Sequence, residues 1–307
     1  MKRSVSSFVF GSFVLCVSFV SFPSAQSASP RFDADRAFAD LKAMVDIGPR
    51  PSGSPAIDKT RDYIRKELVA AGLTPVDQAF DASTPSGVVH MVNIRATLPG
   101  QVAGKGRIVI GGHYDTKPFK NIRFVGASDA ASSAAFLLEL ARALKGRQNA
   151  LPIELLFLDG EEAVCKNWDD CGKPGNADHT YGSRYYAQQA KKAGTTKDVR
   201  AFILVDMIAD ANLDIRRESN STPWLNDVIF STAKKLNRRE FVDDPWPIED
   251  DHLEFLEVGI ESVDLIDLDY PAWHTADDDL QHVSAKSLQA VGDVVVAALP
   301  LIETRLR

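Results

Sequence analysis

Apolar residues recur at helical spacing in DADRAFADLKAMVDIG (33–48), until GPRPSGS breaks the pattern with Pro and Gly. A second amphipathic helix follows in SPAIDKTRDYIRKELVAAG, capped by Ser54 at its start and by Gly72 at its end. The next stretch reads as strands: PVDQAFDAS, VVHMVNIRATLPG and the buried run GRIVIGGHYD. From there helix and strand alternate. SSAAFLLELARAL is helical, IELLFLDG a strand, GSRYYAQQAKKAG a helix, AFILVDMIAD a strand, TPWLNDVIFSTAKKL a helix, SVDLIDL a strand and SAKSLQAVGDVVVAAL a last helix. Alternation of this kind requires crossover connections. It predicts an α/β fold with a mostly parallel sheet covered by helices on both faces.

The first residues carry a different pattern. Lys2 and Arg3 precede an apolar run from Phe8 to Phe22, and small residues follow around Ala25 to Ser27. That order predicts a secretory signal peptide over residues 1–27, with the working domain over 28–307. The apolar run is shorter than the roughly 20 residues that span a bilayer and contains several serines, so the expected product is secreted or periplasmic, with no membrane attachment after cleavage. The chain has 307 residues, 45% hydrophobic and 25% charged, with a formal net charge of -7 and no basic stripe. This profile suits one globular domain and excludes nucleic acid as a partner. Once the signal is removed, Cys165 and Cys171 in CKNWDDC are the remaining cysteines. In an oxidising compartment they suggest a local disulfide, with free thiols or a soft metal site as alternatives.

In parallel sheets ligands bind beyond the carboxyl ends of the strands. There IVIGGHYD brings His113 and Asp115, IELLFLDGEE brings Glu161 and Glu162, FILVDM brings Asp206, and the segment after VDLIDL brings His274. Asp129, in FVGASDAASSAAF, begins a helix on the same sheet. Imidazoles and carboxylates without thiolates suit zinc, or another divalent metal, at a site of about three protein ligands with one open position. The adjacent glutamates then divide the work: Glu162 as ligand, Glu161 as general acid/base. Without a cation the two carboxylates repel each other. His252 is more ordinary, a packed and hydrogen-bonded histidine, and acidic clusters such as ADDDL lie in water.

GGHYDTK, FVGASDAASSAAFLLELARAL, LFLDGEEA, YGSRYYA, VDMI, EDDHLEFLEVGI and WHTADDDL occur in the order found in the secreted zinc aminopeptidase and glutaminyl cyclase family, which the chain resembles from about Phe32 to its C-terminus. The resemblance implies a single α/β domain with a central mixed sheet. It also implies Asp129, Glu162 and His274 as ligands of a shared zinc ion, with Asp129 bridging to a second ion held by His113 and Asp206 in two-metal members, or with those two supporting the first. Glu161 would be the acid/base, and Asp115 would orient His113.

Two branches share these groups. Trp273 directly before His274, Asp250 in EDDH as a proton-network group, and Trp168 near the pocket are similar to the cyclases. Asp264 stands where the cyclases have histidine and Glu249 where they have glutamine. The aromatic matched by Tyr270, expected with Trp273, Glu249 and Trp168 to bind substrate, sits in a shorter loop. Extra carboxylates suit a free α-ammonium or a second metal, as an aminopeptidase requires, and Asp210 after Asp206 leans the same way. The insertion CKNWDDCGKPGNADH is expected as a loop at the site mouth, with His179 and Asp169 in solvent. The expected protein is an exported, monomeric enzyme acting on peptide or protein N-termini with one or two zinc ions and no organic cofactor. Glutaminyl-peptide cyclotransferase comes first and metallo-aminopeptidase second, ahead of a non-catalytic peptide-binding relative.

Overall fold

The computed structural model describes residues 1, 4, 7, 30–102, 104–173 and 175–307, so the predicted signal peptide lies almost wholly outside the described residues. The strands are β1 (Val76–Thr84), β2 (Gly87–Leu98), β3 (Arg107–His113), β4 (Ile153–Leu158), β5 (Val199–Asp206), β6 (Ile215–Glu218), β7 (Phe241–Trp246) and β8 (Ser262–Ile266). Six of them form one sheet in the order β1-β2-β4-β3-β5-β8. β2 runs antiparallel to both β1 and β4, whereas β4, β3, β5 and β8 are mutually parallel, so the sheet is mixed and mostly parallel, as the alternation of elements predicts.

The period of two sorts side chains between its faces. Ile108, Ile110, Ile153, Leu155, Phe157, Ile203 and Val205 join the larger core beneath helices α1 (Ala34–Ile47), α2 (Pro55–Ala71), α3 (Ser133–Ala143), α5 (Pro223–Lys235) and α7 (Ala285–Leu306). Val109, Leu156, Leu158, Phe202 and Leu204 join a smaller core with Tyr186 of α4 (Tyr181–Ala193) and Phe255 of α6 (His252–Glu257). α3, packed against both the sheet and α1, is buried on every side, which explains why its sequence is apolar almost throughout.

The sequence pattern missed three elements. β6 and β7 pair in a separate two-stranded sheet, too short and, in the exposed Pro245-containing β7, too polar to read as strands. α6 has six residues, less than two turns, and shows no usable period. α7 also runs past its expected end at residue 299 to Leu306, through Pro300, because Ile302 and Leu306 continue its buried face.

Candidate metal centre

Three parallel strands end side by side, and each delivers an acid or imidazole at its carboxyl end. β3 ends at His113, β4 leads through Asp159 and Gly160 to Glu161 and Glu162, and β5 ends at Asp206. The turn after β4 is fixed from below by Asp159, whose carboxylate accepts from Val92 N (2.8 Å) and Tyr114 OH (3.0 Å) and pairs with Arg61. Asp115 fixes it from the side, accepting the backbone N–H groups of Glu161 (3.2 Å) and Glu162 (3.3 Å). Its Oδ1 also lies 3.4 Å from His113 Nδ1, where it sets the direction of the imidazole.

Asp129 reaches the same point from an irregular turn at residues 127–132, before α3. Gly126 permits that turn: at φ 54° a Cβ there would stand 1.9 Å from the carbonyl oxygen of Asp129. Two buried charges hold the loop. Arg50 donates to the carbonyls of Tyr114 (2.8 Å), Val125 (2.6 Å) and Gly126 (3.0 Å), and burial lowers its pKa to about 10 against the attraction of Asp278, Asp115 and Asp129. Asp278 accepts from Ser128 N (2.7 Å), Asp129 N (3.1 Å) and Tyr270 OH (2.9 Å).

Two triads result, sharing Asp129: Asp129, Glu162 and His274, and His113, Asp129 and Asp206, each with its ligand atoms within 4.8 Å of one another. In the first, His274 Nε2 lies 3.3 Å from Asp129 Oδ2 and 3.2 Å from Glu162 Oε1. In the second, His113 Nε2 lies 3.2 Å from Asp129 Oδ1 and 3.1 Å from Asp206 Oδ1, yet it is aligned for a hydrogen bond to neither. A buried nitrogen aimed between two carboxylates without a hydrogen bond is the arrangement of a ligand set. Mixed oxygen and nitrogen donors fit a divalent cation of the zinc type at either position.

The electrostatics agree. Burial alone would lower the His274 pKa, but Asp129 and Glu162 raise it to about 9. Burial is likewise outweighed at His113, which Asp206 and Glu161 push well above the ordinary histidine range. At Asp129 burial is overcome by the adjacent imidazoles of His113 and His274, which hold it below the usual carboxylate range. Burial and then Asp129 raise Glu162, against His274 and Lys117. Protons thus occupy a charge-dense pocket whose ligands a cation would share in their place.

Glu161 belongs to neither triad. Burial raises its pKa well above the ordinary range, helped by Glu162, Asp250 and Asp251 against His113. It faces a cleft of about 240 Å³, which Asp129, Glu162, Asp206 and His274 also line. Glu249 and Asp250, Trp168 and Trp273 line it as well. Trp273 stacks on His274 with ring centroids 4.3 Å apart, and Phe119 and Phe124 meet the same imidazole edge-on at 5.6 and 5.8 Å. Trp168 belongs to the loop closed by the Cys165–Cys171 disulfide and stacks on His179 at 4.0 Å.

Several expectations need correction. Tyr270, expected at the substrate, is buried beneath the site and serves Asp278. Asp278 itself, in the ADDDL cluster expected in water, is fully buried because the Asp129 loop needs its oxygens. Asp210 is absent from the cleft wall; its main chain bridges to Val283 and its carboxylate caps Asn212 N. His179 is half-buried behind Trp168, whereas Asp169 is exposed as expected. Asp264, expected behind the site and not at the substrate, is fully buried. Arg50 and Lys117 went unread: Lys117 Nζ, almost fully buried, contacts Glu162 Oε2 at 3.4 Å and donates to Ala163 O at 3.1 Å. A lone basic residue carries no periodic signal, although Lys117 sits four residues after His113 in the quoted GGHYDTK.

The profile of Peptidase family M28 matches residues 93–299. A glutaminyl-peptide cyclotransferase-like protein of Bos taurus is 33% identical over 261 residues, covering 75% of this chain; the chain covers 66% of that relative, just under two thirds of its length. The crystal structure of an Acidobacteriales bacterium glutaminyl cyclase superposes with a TM-score of 0.83 at 35% identity, covering 93% of this chain and 99% of that one. A leucine aminopeptidase precursor from Bacteroides thetaiotaomicron superposes with a TM-score of 0.80 at 29% identity, covering 89% of this chain and 98% of that one.

Proposed function

The chain belongs to Peptidase family M28, and from that premise we propose that it is an exported zinc enzyme that converts N-terminal glutamine of peptides or proteins to pyroglutamate with release of ammonia. The observation that carries this reading is the position of Glu161: in the cleft, beside both triads and part of neither, with a proton affinity raised far above that of an ordinary carboxylate. The likeness to a glutaminyl cyclase along nearly the whole chain supports this reaction over others of the family. The Cys165–Cys171 disulfide supports export, since such bonds persist in oxidising compartments.

Asp129, Glu162 and His274 would hold the zinc ion. When bound, it would polarise the substrate's γ-carboxamide as a Lewis acid. The remaining work falls to side chains. The substrate's α-nitrogen attacks its own γ-carbonyl carbon, forming the ring N–C bond. Glu161 takes the proton that this nitrogen sheds and delivers it to the carboxamide nitrogen, whose C–N bond breaks to release ammonia. A carboxyl with a raised pKa suits both halves of that shuttle. Asp250 is buried in the cleft wall with its own pKa raised well above the usual range, by burial and then by Asp206 and Asp251, and so backs Glu161 with a second proton-holding group. Trp273, exposed at the rim and stacked on His274, offers its outer face to the substrate while holding the ligand ring.

The second triad favours a second reading. His113, Asp129 and Asp206 with another ion would equip the site for hydrolysis of the N-terminal peptide bond, and Glu249 at the cleft would face the free α-ammonium. Mass spectrometry of zinc-loaded protein incubated with one peptide beginning in glutamine and one in leucine separates the two. Loss of ammonia from the first alone is the expected result. Release of a free N-terminal residue from either peptide would replace the cyclase by the aminopeptidase.

A further inference from the structure

The segment between Glu162 and α4 leaves the site as a loop, and its two ends are tied together. Asp178, fully buried, accepts from Cys165 N at Oδ2 (2.8 Å) and from Tyr181 OH at Oδ1 (2.8 Å), so one carboxylate joins the start of the loop to the first residue of α4. The end of the loop is also tied to the turn that carries the acid: Thr180 N donates to Glu161 O and Tyr181 N to Gly160 O, both at 2.8 Å. The Cys165–Cys171 disulfide closes a smaller ring within the loop, and that ring brings Trp168 into the cleft wall. Behind Trp168 stands His179, which is not itself part of that wall. The two rings stack with centroids 4.0 Å apart and planes 12° from parallel. The imidazole is held in turn. Its Nδ1 lies 3.2 Å from Thr180 Oγ1, and that hydroxyl donates its one hydrogen to Glu254 Oε1 at 2.9 Å. Glu254 pairs with Arg184 at 3.3 Å, as an acceptor does. The Thr180 oxygen is therefore left to accept from the ring, which places the imidazole proton on Nδ1 and fixes the ring's direction. Burial, and then Arg184, lower the His179 pKa to about 4, so a neutral ring meets the indole near neutral pH.

We propose that His179 is a positioning residue that seats Trp168 in the cleft wall, and that the pair sets how tightly substrate is held without entering the proton transfers. This rests on the function given above to the cleft. Every link from Glu254 through Thr180 and His179 to Trp168 is a direct contact. The neighbours of Trp168 along the chain, Lys166, Asn167, Asp169 and Asp170, are exposed, so the indole draws little packing from its own loop. Without the imidazole it would sample several rotamers. A partner stacked on one face removes that freedom before substrate arrives and leaves the other face for the substrate, which lowers the ordering cost of binding. Neither ring belongs to either triad, so the effect falls on binding and not on the metal.

Two variants of His179 separate the stack from the rest of the side chain. His179→Ala removes it, and His179→Phe keeps a flat ring while losing the bond to Thr180. In zinc-loaded full-length protein acting on a glutamine peptide, His179→Ala is expected to raise KM roughly three- to tenfold with kcat nearly unchanged, the worth of one aromatic stack, and His179→Phe to recover most of that loss. An unchanged KM in His179→Ala, a fall in kcat in place of the rise in KM, or equal rises in the two variants would each overturn the proposal. A second readout needs neither turnover nor metal. An imidazole stacked on an indole is shielded by its ring current, so the ¹H resonances of the His179 ring are expected to move downfield in Trp168→Leu, and no movement would overturn the contact. That measurement decides if the His179 variants fail to fold. If the wild-type protein cyclises no glutamine peptide, the functional reading fails separately, and the same KM comparison is made on the peptide it does turn over. With no turnover at all, the dissociation constant of the glutamine peptide takes the place of KM, and an absence of binding would overturn the proposal.

Discussion

Asp278→Asn tests how Asp129, the carboxylate common to both triads, is held. The wild-type carboxylate accepts from Ser128 N and Tyr270 OH at Oδ1 and from Asp129 N at Oδ2, all in a buried setting. The asparagine keeps the shape and one oxygen. With that oxygen on Ser128 N and Tyr270 OH, its amide group faces Asp129 N donor to donor, so one buried N–H loses its acceptor. Such a loss costs about 1–3 kcal/mol. At about 2 kcal/mol the melting temperature of a chain this size falls by roughly 4 °C. The orphaned N–H belongs to Asp129, which serves both triads, so metal affinity is expected to fall along with stability. Thermal melts of the metal-free protein and a zinc titration followed by the rise in Tm measure the two effects separately. Wild-type Tm and zinc affinity in the variant would refute the argument. A lower Tm with unchanged zinc affinity would show that Asp278 holds the loop but not the ligand.

Glu161→Gln is expected to abolish turnover while metal stays bound, since it removes a proton carrier outside both triads; Glu162→Ala should lose the metal itself, and metal analysis of the purified variants checks both. Replacing Cys165 and Cys171 by serine opens a small loop, which in the chain-entropy treatment costs about 2 kcal/mol, and should raise KM through Trp168 without removing metal; kinetics and metal content read this directly. Metal-free protein should lose stability as pH rises from about 4 to about 7. Burial lifts the pKa of Asp251 and of Asp267 to about 7 in the folded chain, so the fold binds protons that the unfolded chain has already released, and stability falls until both groups ionise. Urea melts across that range check the sign, and a rise in stability with pH would contradict it.

How far the sequence reaches depends on the kind of signal each residue leaves. The helices and sheet strands were legible because burial imposes a period on many residues at once, and the parallel order followed from their alternation. His113, Glu161, Glu162 and Asp206 were legible because a strand delivers its C-terminal neighbours to one rim in any such sheet. The short elements β6, β7 and α6 left no period to read, and they carry Glu218 and His252. Asp278 looked like one more acid in a solvated cluster, and Tyr270 like a pocket aromatic, until the packing of the 127–132 turn drew both beneath the site.

By itself, then, the sequence determined the longer helices, the strands of the main sheet and its mostly parallel character, and the set of imidazoles and carboxylates that meet at its rim. Only the tertiary structure decided the order of the strands and which buried charges hold Asp129 and Glu161 in place. The physical reason is range. Periodicity and strand ends are local properties of the chain, whereas the partners of a buried charge such as Arg50, Glu218 or Asp278 are far away along it, and only the packed fold brings them within hydrogen-bonding distance.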